Sequence, residues 1–266
     1  MIHLNDIYKY INELAPFNAQ MDFDNSGLLI GNGFSEVHNP ILALDITSEV
    51  INNAISLNSN LIITHHPVIF HPLNSILETD DKGKLIGDLI KNSISVISAH
   101  TNADLAEYSV SDCLIDLFNC SNSSGLEEEA GGIYLGRIGE LQTAMSFSEF
   151  MPLVCAKLNT GGLKYYNAGL PVKRIGFIGG AGSSSIPTAR KKGCDTMVTS
   201  EIKHHEYLQA KELGINVIDA GHFATENPYM YYLKDKLESK FEITFTLSEC
   251  NYDITGYFVK GDKNER

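Results

Sequence analysis

Basic side chains are scarce. Lysine and arginine number 20 against 33 aspartates and glutamates, a net charge of −13. That balance supplies no broad cationic surface, which excludes unspecific binding to a nucleic-acid backbone. A phosphorylated small molecule would need bound cations or a few well-placed basic groups. Cysteine is thin as well. Cys113, Cys120, Cys155, Cys194 and Cys250 contain no Cys-x-x-Cys pair and are odd in number. A disulfide framework or a thiolate zinc knuckle is therefore not expected, and a reducing, cytoplasmic compartment is. The five read as small buried hydrophobes. No apolar run approaches the length of a membrane span. The first residues, Met-Ile-His-Leu-Asn-Asp, carry amide and acid where a signal peptide is basic and then apolar. The expectation is a chain neither secreted by such a signal nor embedded in a membrane. Also missing are His-Glu-x-x-His, the phosphate-binding Gly-x-x-x-x-Gly-Lys-[Ser/Thr] and the Gly-x-Ser-x-Gly elbow.

What is present is ordinary globular composition, 43% hydrophobic and 20% charged over 266 residues, enough for one large domain or two small ones. Leu4, Ile7, Tyr8, Ile11 and Leu14 recur at helical spacing and predict an amphipathic helix that ends before Pro16. Asp24-Asn25-Ser26-Gly27 predicts a turn. Short, mostly apolar segments at 41–45, 60–64 and 94–98 predict buried strands, with helices at 48–57 and 84–91 between them. The rhythm returns with strands at 172–178, 196–199 and 217–219 and helices at 206–213 and 225–239. Strands alternating with helices predict α/β architecture with predominantly parallel strands. The polar, acidic stretch Ser121–Ala130 is the sharpest change of composition. It reads as a boundary or long loop, and divides the chain into α/β halves at 1–125 and 126–266. The polar tail, Lys260 to Arg266, is expected to fray.

Six of the nine histidines fall where predicted strands end. One strand delivers His65-His66 and the next His100, with Asp104 four residues on. Later, one strand delivers Glu201 with His204-His205, and the next His222, with Glu226 four residues on. Open α/β sheets place their sites at such strand ends. Adjacent side chains in an extended segment diverge, so His65 and His66 suit one ion each rather than a shared one. Two ions need a bridging carboxylate, which Asp104 or Glu226 would supply. Acids at those positions also suit helix N-termini as caps. Imidazole with carboxylate and no thiolate suits zinc, iron or manganese. The run Gly179-Gly180-Ala181-Gly182 followed by three serines would offer amides to an anion, or simply make a tight turn.

At these residues a resemblance becomes specific. Ile63-Thr64-His65-His66-Pro67, Ser98-Ala99-His100 through Asp104, Thr199-Ser200-Glu201 through His205 and Gly221-His222 through Glu226 occur in that order. Asp24-Asn25-Ser26-Gly27 precedes them, and the glycine-rich run lies between. Together they resemble the Ngg-interacting-factor-like dinuclear metal family, often named GTP cyclohydrolase I type 2, from about Leu4 to Tyr257. The resemblance implies two α/β halves with the metal site in the cleft between them, and a ring-like homohexamer. It implies two divalent ions per chain. His65 and His66 would bind different ions, Asp104 would bridge, and His222 and Glu226 would complete the shells. His100, His205 and Glu201 are the candidates for catalysis. Phe23 and Ser200 depart from the family pattern, where Trp and Gly are common. The short middle segment leaves out an inserted domain that some members carry. The implied activity is a metal-dependent hydrolase: paired ions lower the pKa of a water, and the hydroxide opens the imidazole ring of a purine nucleotide such as GTP. His100 or His205 would shuttle protons. GTP enters through the family name, because no motif here reads guanine or holds a triphosphate. The alternative is a metal-binding, iron-trafficking or regulatory protein without turnover.

Overall fold

In a computed structural model the described residues are 1–257, without the side chain of Ala130. In chain order the elements begin α1 (Leu4–Leu14), β1 (Gly27–Ile30), β2 (Ile41–Ala43), α2 (Ser48–Ser56), β3 (Leu61–Thr64), α3 (Asp81–Lys91), β4 (Ser95–Ser98), α4 (Thr101–Asp104) and α5 (Val110–Leu117). They continue β5 (Ser121–Ala130), β6 (Ile133–Met145), α6 (Phe147–Leu158), β7 (Lys164–Tyr166), β8 (Val172–Ala181), α7 (Ile186–Lys191), β9 (Thr196–Ser200), α8 (His204–Leu213), β10 (Asn216–Asp219), α9 (His222–Lys240) and β11 (Thr246–Leu247). The expected frayed tail lies outside the described residues. The chain forms two compact units. One comprises Met1–Leu114, Glu128–Gly136 and Glu226–Asn251, the other Ile115–Glu127, Arg137–Thr225 and, of the described residues, 252–257.

The first unit holds a five-stranded sheet in the order β1-β4-β3-β2-β11. Only the edge pairing of β1 with β4 is antiparallel. Every residue of β2, β3 and β4 is buried, the polar Thr64, Ser95 and Ser98 included, as in a parallel sheet covered on both faces. Ile41, Val50, Ile51, Ile62, Leu89 and Val96 share one core cluster. Thr47 caps α2, its hydroxyl accepting from Val50 N at 3.1 Å. The register sets Ala43, Thr64 and Ser98 side by side. Whatever follows these strands therefore emerges along one edge.

The second sheet has six strands, β5-β6-β8-β9-β10-β7, all in the second unit except the segment Glu128–Gly136 of β5 and β6. Its centre, β8-β9-β10, is parallel, and antiparallel strands flank it. Thr199 pairs with Asp219, so Glu201 and His222 also follow strands that end level. The stretch Ser121–Ala130 proves to be strand β5 rather than a loop. Its serines, asparagine and glutamates suggested a loop, but Leu126 is fully buried and the strand pairs with β6, so tertiary pairing outweighs poor strand propensity. No helix among the described residues is long and apolar enough to cross a membrane.

Truncating Ile62, which is fully buried, is expected to cost about 2–5 kcal/mol, whereas truncating Ile55, 43% exposed, should stay within about 0.5 kcal/mol. Urea unfolding of Ile62→Ala and Ile55→Ala side by side checks this.

Candidate metal centre

The common edge of β2, β3 and β4 delivers Asp45, His65-His66 and His100 to one place. His66 N donates to Leu44 O at 3.0 Å and Ala99 N to Thr64 O at 2.9 Å, extending the ladder just past the strands. Beneath them, the hydroxyls of Thr64 and Ser98 meet at 2.8 Å. Gly27 brings in the Asp24 turn. It pairs with Ser98 and holds φ at +132°, a backbone state that L side chains rarely adopt.

Each imidazole is fixed through Nδ1. His65 Nδ1 lies 2.7 Å from Ala99 O, and since a carbonyl only accepts, Nδ1 carries the proton. His66 Nδ1 lies 2.7 Å from Asp45 Oδ1, and His100 Nδ1 lies 2.7 Å from Asp24 Oδ1. In the second unit His222 Nδ1 lies 2.8 Å from Glu201 Oε1. A ring held at Nδ1 by an acceptor presents Nε2, the arrangement that orients metal-binding histidines. His65, His66 and His100 offer ligand atoms within 4.8 Å of one another.

Two carboxylates face these rings. His65 Nε2 stands 3.7 Å from Glu226 Oε1 and 4.0 Å from Asp104 Oδ2, and His66 Nε2 stands 3.0 Å from Glu226 Oε2. The two oxygens of Glu226 thus address different histidines. Neither acid caps a helix: Asp104 is the last residue of α4 and Glu226 lies inside α9. His65 is buried, and its Nε2 has no hydrogen-bond partner among the described residues. An orphaned buried nitrogen is costly, and coordination to a cation is one way to satisfy it. With nitrogen and oxygen donors and no sulfur, the set fits zinc, iron or manganese.

The electrostatics carry the same message. Burial opposes protonation of His65, but Glu226 and Asp104 outweigh it and raise its pKa. Burial likewise opposes protonation of His66, yet hydrogen bonds to Asp45 and Glu226 push it up to about 10. Asp104 is pushed up to about 6, by burial first and by Glu226 as a neighbouring anion, against the pull of His65. Without an ion, protons on the rings balance the crowded carboxylates. A divalent cation would take over that task.

Asp24 is the best-satisfied acid here. It accepts from His100 Nδ1, Asn25 N, Ser26 Oγ, Thr101 N and Thr101 Oγ1. Burial by itself would raise its pKa, but the bonds from His100 and Thr101 hold it well below the carboxylate range.

The remaining sequence candidates separate. Glu201 takes a left-handed backbone (φ 55°) and anchors His222. His204 and His205 open α8 and are exposed. The glycine-rich run is neither an open anion cradle nor a simple turn: Gly179 to Ala181 end strand β8, and Gly182 leads into the short helical turn of the three serines. Gly180 N and Gly182 N are already given to the hydroxyls of Thr225 and Thr199, both at 2.9 Å, and Ser185 Oγ donates to the Glu127 carboxylate. Asp45 went unremarked as a site residue. Its position just past β2, level with His66 past β3, is the signal that could have found it.

In class, then, this is an α/β protein with a histidine–carboxylate cluster on the carboxyl edge of a parallel sheet. A profile of the Duf34/NIF3 family (NGG1p interacting factor 3) matches residues 2–254, and the chain belongs to that family. It is 33% identical over 245 residues to the "GTP cyclohydrolase 1 type 2 homolog" of Clostridium perfringens, covering 90% of this chain and 92% of that one. It is 31% identical to the "GTP cyclohydrolase 1 type 2" of Helicobacter pylori strain J99, covering 90% and 93%. The crystal structure of the Staphylococcus aureus hypothetical protein SA1388 superposes with a TM-score of 0.89 at 28% identity, covering 96% and 99%.

Replacing Asp24 by Asn removes the charge behind five hydrogen bonds and is expected to cost about 2–4 kcal/mol at neutral pH. The folded pKa lies below the ordinary 3.8, so this contribution is full above that value and is lost as pH falls through the folded one. Urea unfolding of wild type and Asp24→Asn should show a constant gap from pH 7 to about 5 that narrows on further acidification.

Proposed function

We propose that the chain is a metal-dependent hydrolase with a dinuclear centre, and that a purine nucleotide is its substrate. The observation that carries the reading is the buried His65 Nε2, without a hydrogen-bond partner among the described residues, facing Glu226 and Asp104 while Nδ1 is locked to Ala99 O. His65, His66, Asp104 and Glu226 would hold the ions. His222, one helical turn before Glu226 on α9, would be a further ligand. Zinc, iron or manganese suits the donors. A pair of such ions supplies Lewis acidity and brings the pKa of a bound water toward neutrality.

The chain's own residues do the positioning. Asp45 and Glu201 keep the rings of His66 and His222 turned with Nε2 outward. His100, oriented by Asp24, stands within ligand distance of His65 and His66 and would carry a proton between substrate and solvent. Glu201 acts through His222, so its role is orientation. His205 remains a candidate for proton transfer. The names of the clostridial and Helicobacter relatives support a nucleotide substrate. Bound cations would offset the −13 charge of the chain toward a triphosphate. The five free cysteines suit a reducing cytoplasm.

Elemental analysis of tag-free protein is expected to find about two ions per chain, and Asp104→Ala and Glu226→Ala should each lose at least one. Asp45→Asn should bind metal about 10–100-fold more weakly while keeping the stoichiometry at saturation. Absence of stoichiometric metal after reconstitution with zinc, iron and manganese would overturn the hydrolase reading. The proposal includes a homohexamer, for which native mass spectrometry should read six times the 29.3 kDa chain.

A further inference from the structure

We propose that Phe23 and Phe70 form the wall against which the flat ring of a purine nucleotide lies when its reacting part reaches the cluster. The inference rests on the nucleotide reading above and adds residues that would hold the base.

Phe23 is 61% exposed, and a single exposed phenylalanine needs no explanation. This ring, however, has an aromatic neighbour that leads to the cluster. It meets Phe70 edge to face at 6.2 Å and 64°. Phe70 in turn stands 5.9 Å from the His100 ring at 78° and 4.6 Å from His71. The two loops are tied together, Asn25 Nδ2 donating to Ile69 O at 2.6 Å. Asp24, the next residue after Phe23, anchors His100 Nδ1. The exposed ring is therefore registered against the same imidazole that borders His65 and His66. A molecule bound at those rings has an aromatic surface beside it.

The chemistry of that surface selects its occupant. Two phenyl rings offer π-faces and apolar edges but no donors or acceptors, so they suit the face of a conjugated ring and leave its polar edge to other groups. Charge points the same way. The chain is strongly acidic, and Asp24, Asp104 and Glu226 crowd the cluster, so side-chain attraction contributes little to holding an anionic nucleotide. Stacking is uncharged and supplies affinity that these carboxylates do not cancel. Stacking also tolerates any base. Phe23 and Phe70 would therefore bind adenine about as well as guanine, and discrimination between them would come from elsewhere.

The chain contains no tryptophan, so Phe23→Trp places a single reporter on the wall. Zinc-loaded Phe23→Trp is titrated with guanosine, GTP, ATP and inorganic tripolyphosphate, exciting at the red edge of indole absorption. Guanosine, GTP and ATP are expected to quench saturably and tripolyphosphate is not. Phe70→Ala in the same background should weaken quenching, and Phe23→Ala should bind GTP about tenfold more weakly by calorimetry with metal content unchanged. A fully zinc-loaded reporter that none of the three ring compounds quenches would overturn the wall while leaving the metal reading intact. Emission that responds to dilution of the protein and to no nucleoside would assign Phe23 to a contact between copies, and would also overturn it. Wild-type protein that takes up no metal would instead remove the hydrolase reading, and guanosine quenching of the metal-free reporter would still support the wall.

Discussion

Three imidazoles of the first unit are anchored through one nitrogen each, and the arrangement of its histidine cluster follows from that. Ala99 O, Asp45 and Asp24 take Nδ1 of His65, His66 and His100. A histidine without such an anchor rotates about two torsions and offers either nitrogen. With it, the ring has one tautomer or one charged form, one orientation and one outward atom. The cluster is preorganised because its anchors belong to a rigid sheet edge. Ala99 and Asp45 lie just past β4 and β2, and Asp24 is pinned by the pairing of Gly27 with Ser98.

The cost of such a centre is electrostatic. Asp104 and Glu226 face the same buried ring at 4.0 and 3.7 Å, a geometry that two anions resist without a compensating cation. In its absence protons fill the role, which is why the pKa values of His65 and His66 rise despite burial. The sheet core beneath, with Ile62 and Val96 fully buried, provides the framework that holds the strained edge in place.

Much of this was readable from residue order. Short, mostly apolar segments marked β2, β3 and β4, because a strand buried on both faces has no solvent side to alternate toward. The histidines at their ends marked the cluster, because parallel strands send their successors to one edge. β5 and β6 were not legible: Ser121–Ala130 is rich in turn-forming and acidic residues, and its strand state depends on pairing with β6. The glycine run was ambiguous for a similar reason. Whether an amide is free to meet an anion depends on Thr199 and Thr225, far along the chain.

By itself, then, the order of residues determined the α/β class and the edge on which histidines and carboxylates collect, since these follow from local periodicity and from the order of strands and their successors. Tertiary structure decided the rest. It selected Asp45 and Asp24 as the anchors, turned the two oxygens of Glu226 toward different histidines, and set Phe70 between His100 and Phe23. The physical reason is sequence separation. Asp24 and His100 are 76 residues apart, so only the pairing of β1 with β4 brings carboxylate and imidazole within hydrogen-bond distance.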